Sequence, residues 1–231
     1  MLKKWQHLPP ILQNEHIKPY YEILYKKKFS LFVKRFLDIL FSLLLLIPAI
    51  PFVLIVCLLI VIDSPGSPLF LQERVTQYGN KFKIVKFRTM IDDADRKGTV
   101  VTVSADPRIT KIGKFLRKFR LDEVPQLINI LFGQMTFVGT RPEVPNYVQH
   151  YTPEMLATLL LPAGVTSRTS VEFRNEQELL KDAVDIDKIY IEQILPEKMK
   201  INLVYIKDFS LKEDLSIILL TIKKVFLSKS D

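Results

Sequence analysis

The sequence contains a single cysteine, Cys57, among 231 residues. An intramolecular disulfide is therefore excluded, and nothing points to an oxidising compartment. The three histidines, His7, His16 and His150, form no HExxH or CxxC-type cluster, so a zinc site is not expected. The sequence also lacks a Walker A motif, a GxGxxG fingerprint and a GxSxG nucleophile elbow. Carboxylates and the cations of lysine and arginine remain as candidates for chemistry.

Positive charge is concentrated in two regions of the chain. The formal net charge is +8, and residues 1–35 hold 8 lysines and arginines against 2 acids, while residues 64–120 hold 13 against 5. Residues 121–231 are acidic, with 12 basic residues against 16 acids. Basic regions of this kind are typical of proteins that bind nucleic acid, an anionic lipid surface or phosphate groups.

A long apolar run lies between the two basic regions. From Ile39 to Ile62 the sequence has 24 residues without a charge, and as a helix this run is about 36 Å long, enough to cross a bilayer. A secretory signal peptide is not expected, because the run starts far from the N-terminus and ends in DSPGSP instead of a small-residue cleavage site. The other alternative is a helix buried in a soluble core, which is rarely so long and apolar.

Pro48 and Pro51 lie midway in this run, in the stretch IPAIP. Each removes a backbone donor and clashes with the preceding turn, so a kink or break is expected there. A helix–break–helix that enters one leaflet and returns keeps both basic flanks on one face of the membrane, whereas a kinked full span places them on opposite faces. Composition alone leaves both topologies open. The flanking cations are Lys26, Lys27, Lys28, Lys34 and Arg35 before the run and Arg74, Lys81, Lys83 and Lys86 after it.

The chain as a whole predicts an α+β protein that is mostly helical. Its predicted parts are a peripheral N-terminal extension at 1–33, a membrane segment at 34–63 and a main domain at 64–231. Short strands are predicted in PGSPLFLQERV, KFKIVKF and GTVVTV. Helices are predicted at 111–120 (KIGKFLRKFR), at 125–132 (PQLINILF) and from Asp214 onward (DLSIILLTIKKVF).

The segment 111–120 is amphipathic. It places Ile112, Phe115, Leu116 and Phe119 at i, i+3, i+4 and i+7, with basic residues on the other face. This pattern suits a helix that lies at a lipid interface. An ordinary surface helix packed on a core has the same pattern, and the sequence does not decide between the two.

Two adjacent carboxylates, Asp122 and Glu123, follow this segment in RLDEVPQ. Acids ahead of Pro125 are typical of a helix N-terminus, where they cap free N–H groups and complement the helix dipole. The alternative is a catalytic pair, because a helix N-terminus and five upstream cations would keep Asp122 ionised, as a carboxylate nucleophile requires. Mg²⁺ is commonly held by one or two carboxylates together with substrate phosphates.

Four cations are candidates for binding phosphate. Lys86 and Arg88 lie in KFRTM, Arg117 lies in the amphipathic segment, and Arg141 lies in VGTRP. Planar guanidinium groups bind phosphate bidentately. Each residue alone is more often a solvated surface cation, so the prediction depends on the set.

The order of these motifs resembles the bacterial sugar transferase family, the monotopic polyprenol-phosphate phosphoglycosyl transferases. The resemblance runs from about Lys34 to about Leu220. It is carried by KRFLDILFS, by PGSPLFLQERVTQYGNKFKIVKFRTM and by DPRITKIGKFLRKFRLDEVPQLINILFGQMTFVGTRPE. KFRTM alone is a weak signal, but the whole series in this order and spacing is specific.

The resemblance implies a membrane-bound enzyme that moves a sugar phosphate from a UDP-sugar to polyprenyl (undecaprenyl) phosphate and releases UMP, as the first membrane step of a surface glycan. It also implies Mg²⁺, a re-entrant segment that turns at Pro48 and Pro51, and a catalytic domain on the cytoplasmic face of the bacterial inner membrane, against anionic lipid. A nucleic-acid partner is not expected, because aromatic residues are not interleaved with the basic residues of 111–120 in a base-stacking pattern. A homodimer is compatible with the sequence.

The family's site residues can be carried over to matching positions. In that family the aspartate of an Asp–Glu dyad attacks the diphosphate and forms a covalent phospho-sugar intermediate. By resemblance Asp122 is the nucleophile and the Mg²⁺ ligand, and Glu123 is its partner in acid–base or metal work. The residues implied to contact the substrate are Lys86, Arg88, Arg117, Arg141, Arg174 and Asn175.

Two stretches depart from the family pattern. The usual VGPRP reads VGTRP, with Thr140 in place of proline and Arg141 retained. The usual PGITGLAQV-type block reads AGVTSRTSVEFRNE over 163–176, which resembles a serine-bearing subset of the family. Because this loop is thought to shape donor choice, the resemblance does not name the sugar.

Two hypotheses without catalysis compete with the enzyme. In the first, the cations form only a patch on a membrane-surface or nucleic-acid-binding module, whose binding would follow phosphate density and salt and would not depend on Asp122. In the second, the fold is a scaffold without turnover. The acidic pair inside the basic patch argues against the first, and the intact dyad argues against the second.

Overall fold

The computed structural model describes residues 2–92, 106–173 and 185–226. This part of the chain is mostly helical, which confirms the predicted α+β class, whereas the predicted strand GTVVTV lies outside it. The helices are α1 (Lys18–Lys26), α2 (Lys28–Asp63), α3 (Lys111–Lys118), α4 (Leu127–Leu131), α5 (Pro145–Val148), α6 (Arg168–Glu172), α7 (Ile186–Ile189), α8 (Leu195–Asp208) and α9 (Leu211–Phe226). The strands are β1 (Leu69–Val75), β2 (Lys81–Phe87), β3 (Met135–Val138) and β4 (Ala163–Thr166).

Helix α2 continues through Pro48 and Pro51 without interruption. In the described ranges it is the one helix long and apolar enough to cross a membrane, and only 11% of its most apolar window is buried. The alternative of a helix buried in a soluble core is therefore wrong. The helical assignment shows no break at IPAIP, so the re-entrant topology stays a prediction.

Both ends of α2 pack on the domain, whereas its middle is exposed. Near its start, Arg35 donates to two main-chain carbonyls at the end of α4, at 2.7 and 3.0 Å. Near its end, Val56 and Ile60 are buried against β2 and α3. Residues 43–51, which include both prolines, are mostly exposed.

The N-terminal residues belong to the main hydrophobic core, so the expectation of a peripheral extension is wrong. Leu12, Ile17 and Leu24 are each 0% exposed. They pack with helix α8 and with the 3-10 helix that precedes β4. Pro10 and Pro19 stand at the starts of short helices, where proline is well tolerated.

Strands β1 and β2 confirm two of the predicted strands, and they pair as an antiparallel hairpin with Leu69 opposite Phe87. A second sheet pairs β3 with β4 in parallel and was not predicted. Gly139, directly after β3, and Gly164, in β4, approach so closely that a Cβ on Gly164 would come within 2.2 Å of the Gly139 nitrogen. This approach fixes the segment after β3, which carries Arg141.

Helix α3 confirms the predicted amphipathic helix, although it ends at Lys118. Leu116 is 1% exposed in the core, and Phe115 is 56% exposed. The apolar side is thus divided between the core and the surface. Its location at a lipid interface stays a prediction.

The helical segment predicted at 125–132 begins earlier, because a 3-10 helix over Leu121–Gln126 precedes α4. Pro125 lies inside this 3-10 helix and does not start it. Arg120 has a φ of 53°, in the left-handed region, and separates α3 from the 3-10 helix. The acids of the dyad therefore lie in the first turn of a helical segment.

Helix α9 begins at Leu211, three residues before its expected start. The Ser210 hydroxyl caps it by accepting a hydrogen bond from the backbone N–H of Glu213 at 3.1 Å. Asp214, in the first turn, is buried and pairs with Lys34 Nζ at 2.6 Å. This buried ion pair joins the start of α2 to the last helix.

Candidate active site

Three segments bring their charged side chains together. Lys86 lies on β2, Asp122 and Glu123 lie on the 3-10 helix, and Arg141 follows β3. The 3-10 helix packs directly on β2. Four residues predicted from separate motifs therefore form one cluster.

The Glu123 carboxylate is engaged by two cations. Its Oε1 accepts a hydrogen bond from Arg141 Nη2 at 2.7 Å and lies 3.5 Å from Lys86 Nζ. Burial opposes the ionisation of Glu123, but the charges of Arg141, Lys86 and Arg120 outweigh it and lower the pKa of this carboxyl to about 2. Glu123 is therefore a fixed anion at neutral pH.

Lys86 is affected in the opposite direction. Burial and the charge of Arg141 lower the pKa of Lys86 to about 8, against the opposing effects of Glu123 and Asp122. Its side chain is 18% exposed. Lys86 is thus a cation whose charge changes close to the physiological range of pH.

Asp122 differs from its neighbour Glu123. Its carboxylate makes no hydrogen bond or ion pair with any residue of the described ranges. Burial and the charge of Glu123 raise the pKa of Asp122 above its usual value, and the charges of Lys86, Arg141 and Arg117 oppose the shift. The cations thus favour the ionised form of Asp122, as expected from the sequence, but burial and Glu123 outweigh their effect on the pKa.

The geometry does not support the explanation of the two acids as helix caps. The start of the 3-10 helix has no side-chain cap. Glu123 turns instead to Arg141 and Lys86. Both acids retain a favourable location in the first turn, but their carboxylates do not satisfy its N–H groups.

Arg117 lies close enough to Asp122 for their charges to affect each other's pKa. Its Nε donates to Thr89 Oγ1 at 2.8 Å. Gly113 permits this contact, because a Cβ there would come within 2.1 Å of the Thr89 carbonyl oxygen. The glycine thus lets α3 approach the end of β2.

Arg74 is a further cation of the cluster, and the sequence analysis counted it only among the membrane flanks. Its Nη1 donates to the Pro142 carbonyl at 3.1 Å, and its charge lowers the pKa of Lys86. The hairpin register could have revealed it. Arg74 pairs with Phe82, and alternate residues of β2 place Lys86 on the same face as Phe82.

Arg88 is directed away from the cluster. It is 6% exposed, its Nη1 donates to the Pro65 carbonyl at 2.6 Å, and its Nη2 donates to the Ser64 carbonyl. Its described hydrogen bonds are thus all with the chain itself. Arg174 and Asn175 lie outside the described residues, so their contacts with the donor stay predictions.

Glu143 is a buried acid that the sequence analysis did not consider. Its Oε1 accepts a hydrogen bond from the Tyr190 hydroxyl at 2.7 Å and lies 3.8 Å from Lys198 Nζ. Its carbonyl accepts a hydrogen bond from the Val75 N–H at 3.0 Å. Glu143 thus ties the segment that carries Arg141 to strand β1 and helix α8.

The carboxylates of Asp122 and Glu123 could bind Mg²⁺ only together with further ligands. Among the described residues, no group of three or more His, Cys, Asp or Glu side chains could hold a metal ion. Asp122 nonetheless offers a carboxylate that has no hydrogen-bond or ion-pair partner among the described residues. This fits the usual Mg²⁺ site, which is completed by substrate phosphates and water.

A long exposed apolar helix is typical of membrane-associated proteins, and a carboxylate surrounded by cations is typical of sites for anionic groups. Residues 29–228 match the family model of the bacterial sugar transferases, and the chain belongs to this family. The family predicted from the motifs is thereby confirmed.

Several relatives have names that state a reaction. A putative undecaprenyl-phosphate N-acetylgalactosaminyl 1-phosphate transferase of Bacillus subtilis (strain 168) is 42% identical over 123 residues, 53% of this chain and 69% of the relative. A UDP-N-acetylgalactosamine-undecaprenyl-phosphate N-acetylgalactosaminephosphotransferase of Aeromonas hydrophila is 32% identical over 197 residues, 84% of this chain and 44% of the relative. A UDP-glucose:undecaprenyl-phosphate glucose-1-phosphate transferase of Klebsiella pneumoniae is 33% identical over 201 residues, 85% of this chain and 41% of the relative.

The chain spans less than half the length of the last two relatives. The three names share an undecaprenyl-phosphate acceptor and differ in the sugar, which is N-acetylgalactosamine in two and glucose in one. The comparisons therefore agree on the class of reaction and leave the sugar open.

Proposed function

We propose that the protein transfers a sugar phosphate from a UDP-sugar to undecaprenyl phosphate and releases UMP, as the first membrane step of a surface glycan. One observation carries the proposal. Of the two adjacent acids, Glu123 is held by Arg141 and Lys86, whereas Asp122 has no partner among the described residues. The names of the relatives support the donor and the acceptor classes.

In the proposed reaction, an Asp122 carboxylate oxygen attacks the phosphorus atom that bears the sugar. The bond from this phosphorus to the bridging oxygen breaks, and UMP leaves with that oxygen. The sugar phosphate is then bound to Asp122 as an acyl phosphate. An oxygen of undecaprenyl phosphate attacks the same phosphorus, frees the carboxylate and forms the diphosphate-linked lipid.

The cations are proposed to stabilise the charge of the diphosphate and of the departing UMP. Lys86, Arg117 and Arg141 surround Asp122 and are fixed by the fold before substrate arrives. Such preorganised charges lower the barrier because they need not reorient during the reaction. Aligning the diphosphate with the carboxylate contributes as well.

For Glu123 we propose an electrostatic role. A carboxylate with a pKa of about 2 is a weak proton acceptor at neutral pH. Its hydrogen bond to Arg141 and its proximity to Lys86 instead hold these two cations beside Asp122.

For Mg²⁺ we propose Asp122 as the protein ligand, with the diphosphate completing the site. The ion would screen the repulsion between the carboxylate and the diphosphate. Arg117, Arg141 and Lys86 would bind the phosphate oxygens that remain.

We further propose that α2 is re-entrant and that the domain lies on the cytoplasmic face of the inner membrane. A full span would separate the N-terminal residues from the domain, yet the Tyr20 hydroxyl donates to Glu154 at 2.5 Å and the Lys3 N–H donates to the Tyr78 hydroxyl at 2.8 Å. Both flanks of α2 thus belong to one folded body, which supports re-entry. The exposed apolar side chains outside α2 that would face lipid include Phe115, Ile128, Phe132, Leu215 and Leu219.

The test is intact-protein mass spectrometry on the detergent-purified chain, given Mg²⁺ and a panel of UDP-sugars without acceptor. A mass increase of one sugar phosphate with one donor, matched by UMP release and mapped to Asp122, is expected. Asp122→Asn should show neither. Asp208→Asn, which changes an acid with a side chain that is 59% exposed, is the matched control and should behave as the wild type.

Two outcomes would count against the proposal. Turnover with undecaprenyl phosphate that is unaffected by Asp122→Asn would show that this carboxylate is not the nucleophile. No UMP release with any donor in the presence of acceptor would favour the scaffold hypothesis.

A further inference from the structure

Arg88 binds the residues at which the chain leaves the apolar helix α2, Ser64 and Pro65, which form the exit of α2. The guanidinium donates to the carbonyls of Ser64 and Pro65, the first two residues after the helix. Gly66 makes room for it, because a Cβ there would come within 2.2 Å of Arg88 Nη1. A cation at a helix C-terminus is also favoured by the helix dipole. Arg88 therefore fixes where the chain leaves α2.

The guanidinium is buried and faces the chain. Nη1 and Nη2 each donate to a main-chain carbonyl, and Nε is buried with no hydrogen-bond partner among the described residues. The residue is 6% exposed. A phosphate could reach Arg88 only if the hydrogen bonds to the Ser64 and Pro65 carbonyls were broken.

Asp63 makes a second connection at the same exit. Its Oδ2 accepts a hydrogen bond from the backbone N–H of Ile112 at 3.0 Å, in the first turn of α3. Thr110 caps the same helix by accepting from Gly113 N at 3.0 Å. The last residue of α2 thus supplies part of the cap of α3.

The elements fixed at this exit carry the cations that face Asp122. Arg88 follows Lys86 by two residues, directly after the end of β2, and the next residue, Thr89, accepts the hydrogen bond from Arg117 Nε at 2.8 Å. The Thr89 carbonyl accepts from Thr110 N at 3.1 Å. The end of α2 is thereby linked to both Lys86 and Arg117 through a few direct contacts.

We propose that Arg88 and Asp63 are positioning residues that set Lys86 and Arg117 relative to Asp122 according to where α2 ends, and that Arg88 does not contact substrate. This inference rests on the proposed function for its kinetic consequence and departs from the phosphate contact implied by the resemblance. On this proposal, the position at which α2 ends affects kcat and does not affect the KM for the UDP-sugar.

The kinetic test compares UMP release by full-length variants with donor and acceptor present, normalised to folded protein. Arg88→Gln is expected to lower kcat at least tenfold and to leave KM for the UDP-sugar within twofold. Arg88→Lys, which retains a donor for one carbonyl, should recover part of the kcat. Arg141→Gln is the reference for a phosphate contact and should raise KM. Lys81→Gln, an exposed cation on the same strand, is the control and should change neither.

Asp63 provides an independent variant in case Arg88→Gln fails to fold. Asp63→Ala is expected to lower kcat with KM unchanged, and Asp63→Asn, which can still accept the Ile112 N–H, should recover most of it. A rise of KM in Arg88→Gln like that of Arg141→Gln, or an unchanged kcat in the Asp63→Ala variant, would overturn the proposal.

Hydrogen exchange supplies a measurement that does not need activity. Both Arg88→Gln and Asp63→Ala are expected to increase amide exchange over 111–118, whereas Lys81→Gln should not. If the wild type shows no UMP release but this coupling is present, the proposed function fails and the structural linkage stands. Increased exchange limited to residues 64–68 would overturn the linkage itself.

Discussion

Arg141 Nη2 donates to Glu123 Oε1 at 2.7 Å, and the carboxylate next to Glu123 in sequence, that of Asp122, has no such partner in the described part of the chain. The two acids share a helical turn and a set of cations but differ in pKa direction. The pKa of Glu123 is lowered to about 2, and that of Asp122 is raised. Environments that separate the pKa values of adjacent acids are typical of sites where the two have different tasks.

Asp122→Asn should abolish turnover without destabilising the fold. We expect UMP release to fall at least about 1000-fold, because the amide cannot serve as the nucleophile. Burial raises the pKa of Asp122, so its charged form is disfavoured in the folded protein and its contribution to stability declines as pH rises through the raised pKa. At neutral pH the melting temperature of the variant should therefore equal or exceed that of the wild type. A large fall in melting temperature would show that the carboxylate has a structural partner.

Glu123→Gln should show the converse, with a clear loss of stability. The substitution removes the charge that Arg141 and Lys86 face, at a cost of about 1–2 kcal/mol, because the Arg141 side chain is 35% exposed and water screens the pair. The lowered pKa means that the stabilisation is present above the usual pKa near 4.5 and is lost as pH falls toward about 2. Thermal melts between pH 3 and pH 7 should show the difference between wild type and variant shrinking in acid.

Loss of the charge on Lys86 should lower the activity in alkaline solution. Its pKa of about 8 means that the amine loses its charge as pH rises through this value. UMP release should therefore decline above about pH 8 in the wild type and much less in Lys86→Arg, since a guanidinium stays protonated. Lys83→Arg, an exposed lysine on the same strand, is the matched control. A decline that persists unchanged in Lys86→Arg would assign it to another group.

The two flanks of α2 should be accessible from the same side of the membrane. Single cysteines would be introduced by Glu15→Cys or Ser67→Cys in a Cys57→Ser background, at positions exposed in the structure. Both should react with an impermeant maleimide in inside-out vesicles and not in spheroplasts. Labelling of the two positions from opposite sides would show that α2 spans the bilayer.

The strands β1 and β2 and helix α3 could be predicted because their side-chain periodicity is local. KFKIVKF alternates, and 111–118 repeats at helical spacing. Strands β3 and β4 have four residues each and show little alternation, so their pairing depends on contacts distant in sequence. The N-terminal residues were misjudged for the same reason, since the elements that bury them lie more than 100 positions away.

The grouping of charged residues in the candidate site could be predicted from the sequence. Asp122, Glu123, Lys86 and Arg141 do come together. A motif does not reveal which partner a cation meets, however, and Arg88 in KFRTM bonds to carbonyls after α2. The partner of a buried guanidinium is set by tertiary packing and not by its neighbours in sequence.

The buried contact between Lys34 and Asp214 bears on how the protein is made. These residues are 180 positions apart, and the main core likewise extends from Leu8 to Ile217. Neither can close until residues as far along as Asp214 and Ile217 have left the ribosome, because a contact needs both of its partners. On the proposed placement, α2 meets lipid during translation while the body that will hold its two ends is still incomplete. The bilayer thus receives a domain whose core is still open, and helix α9 closes this core in place.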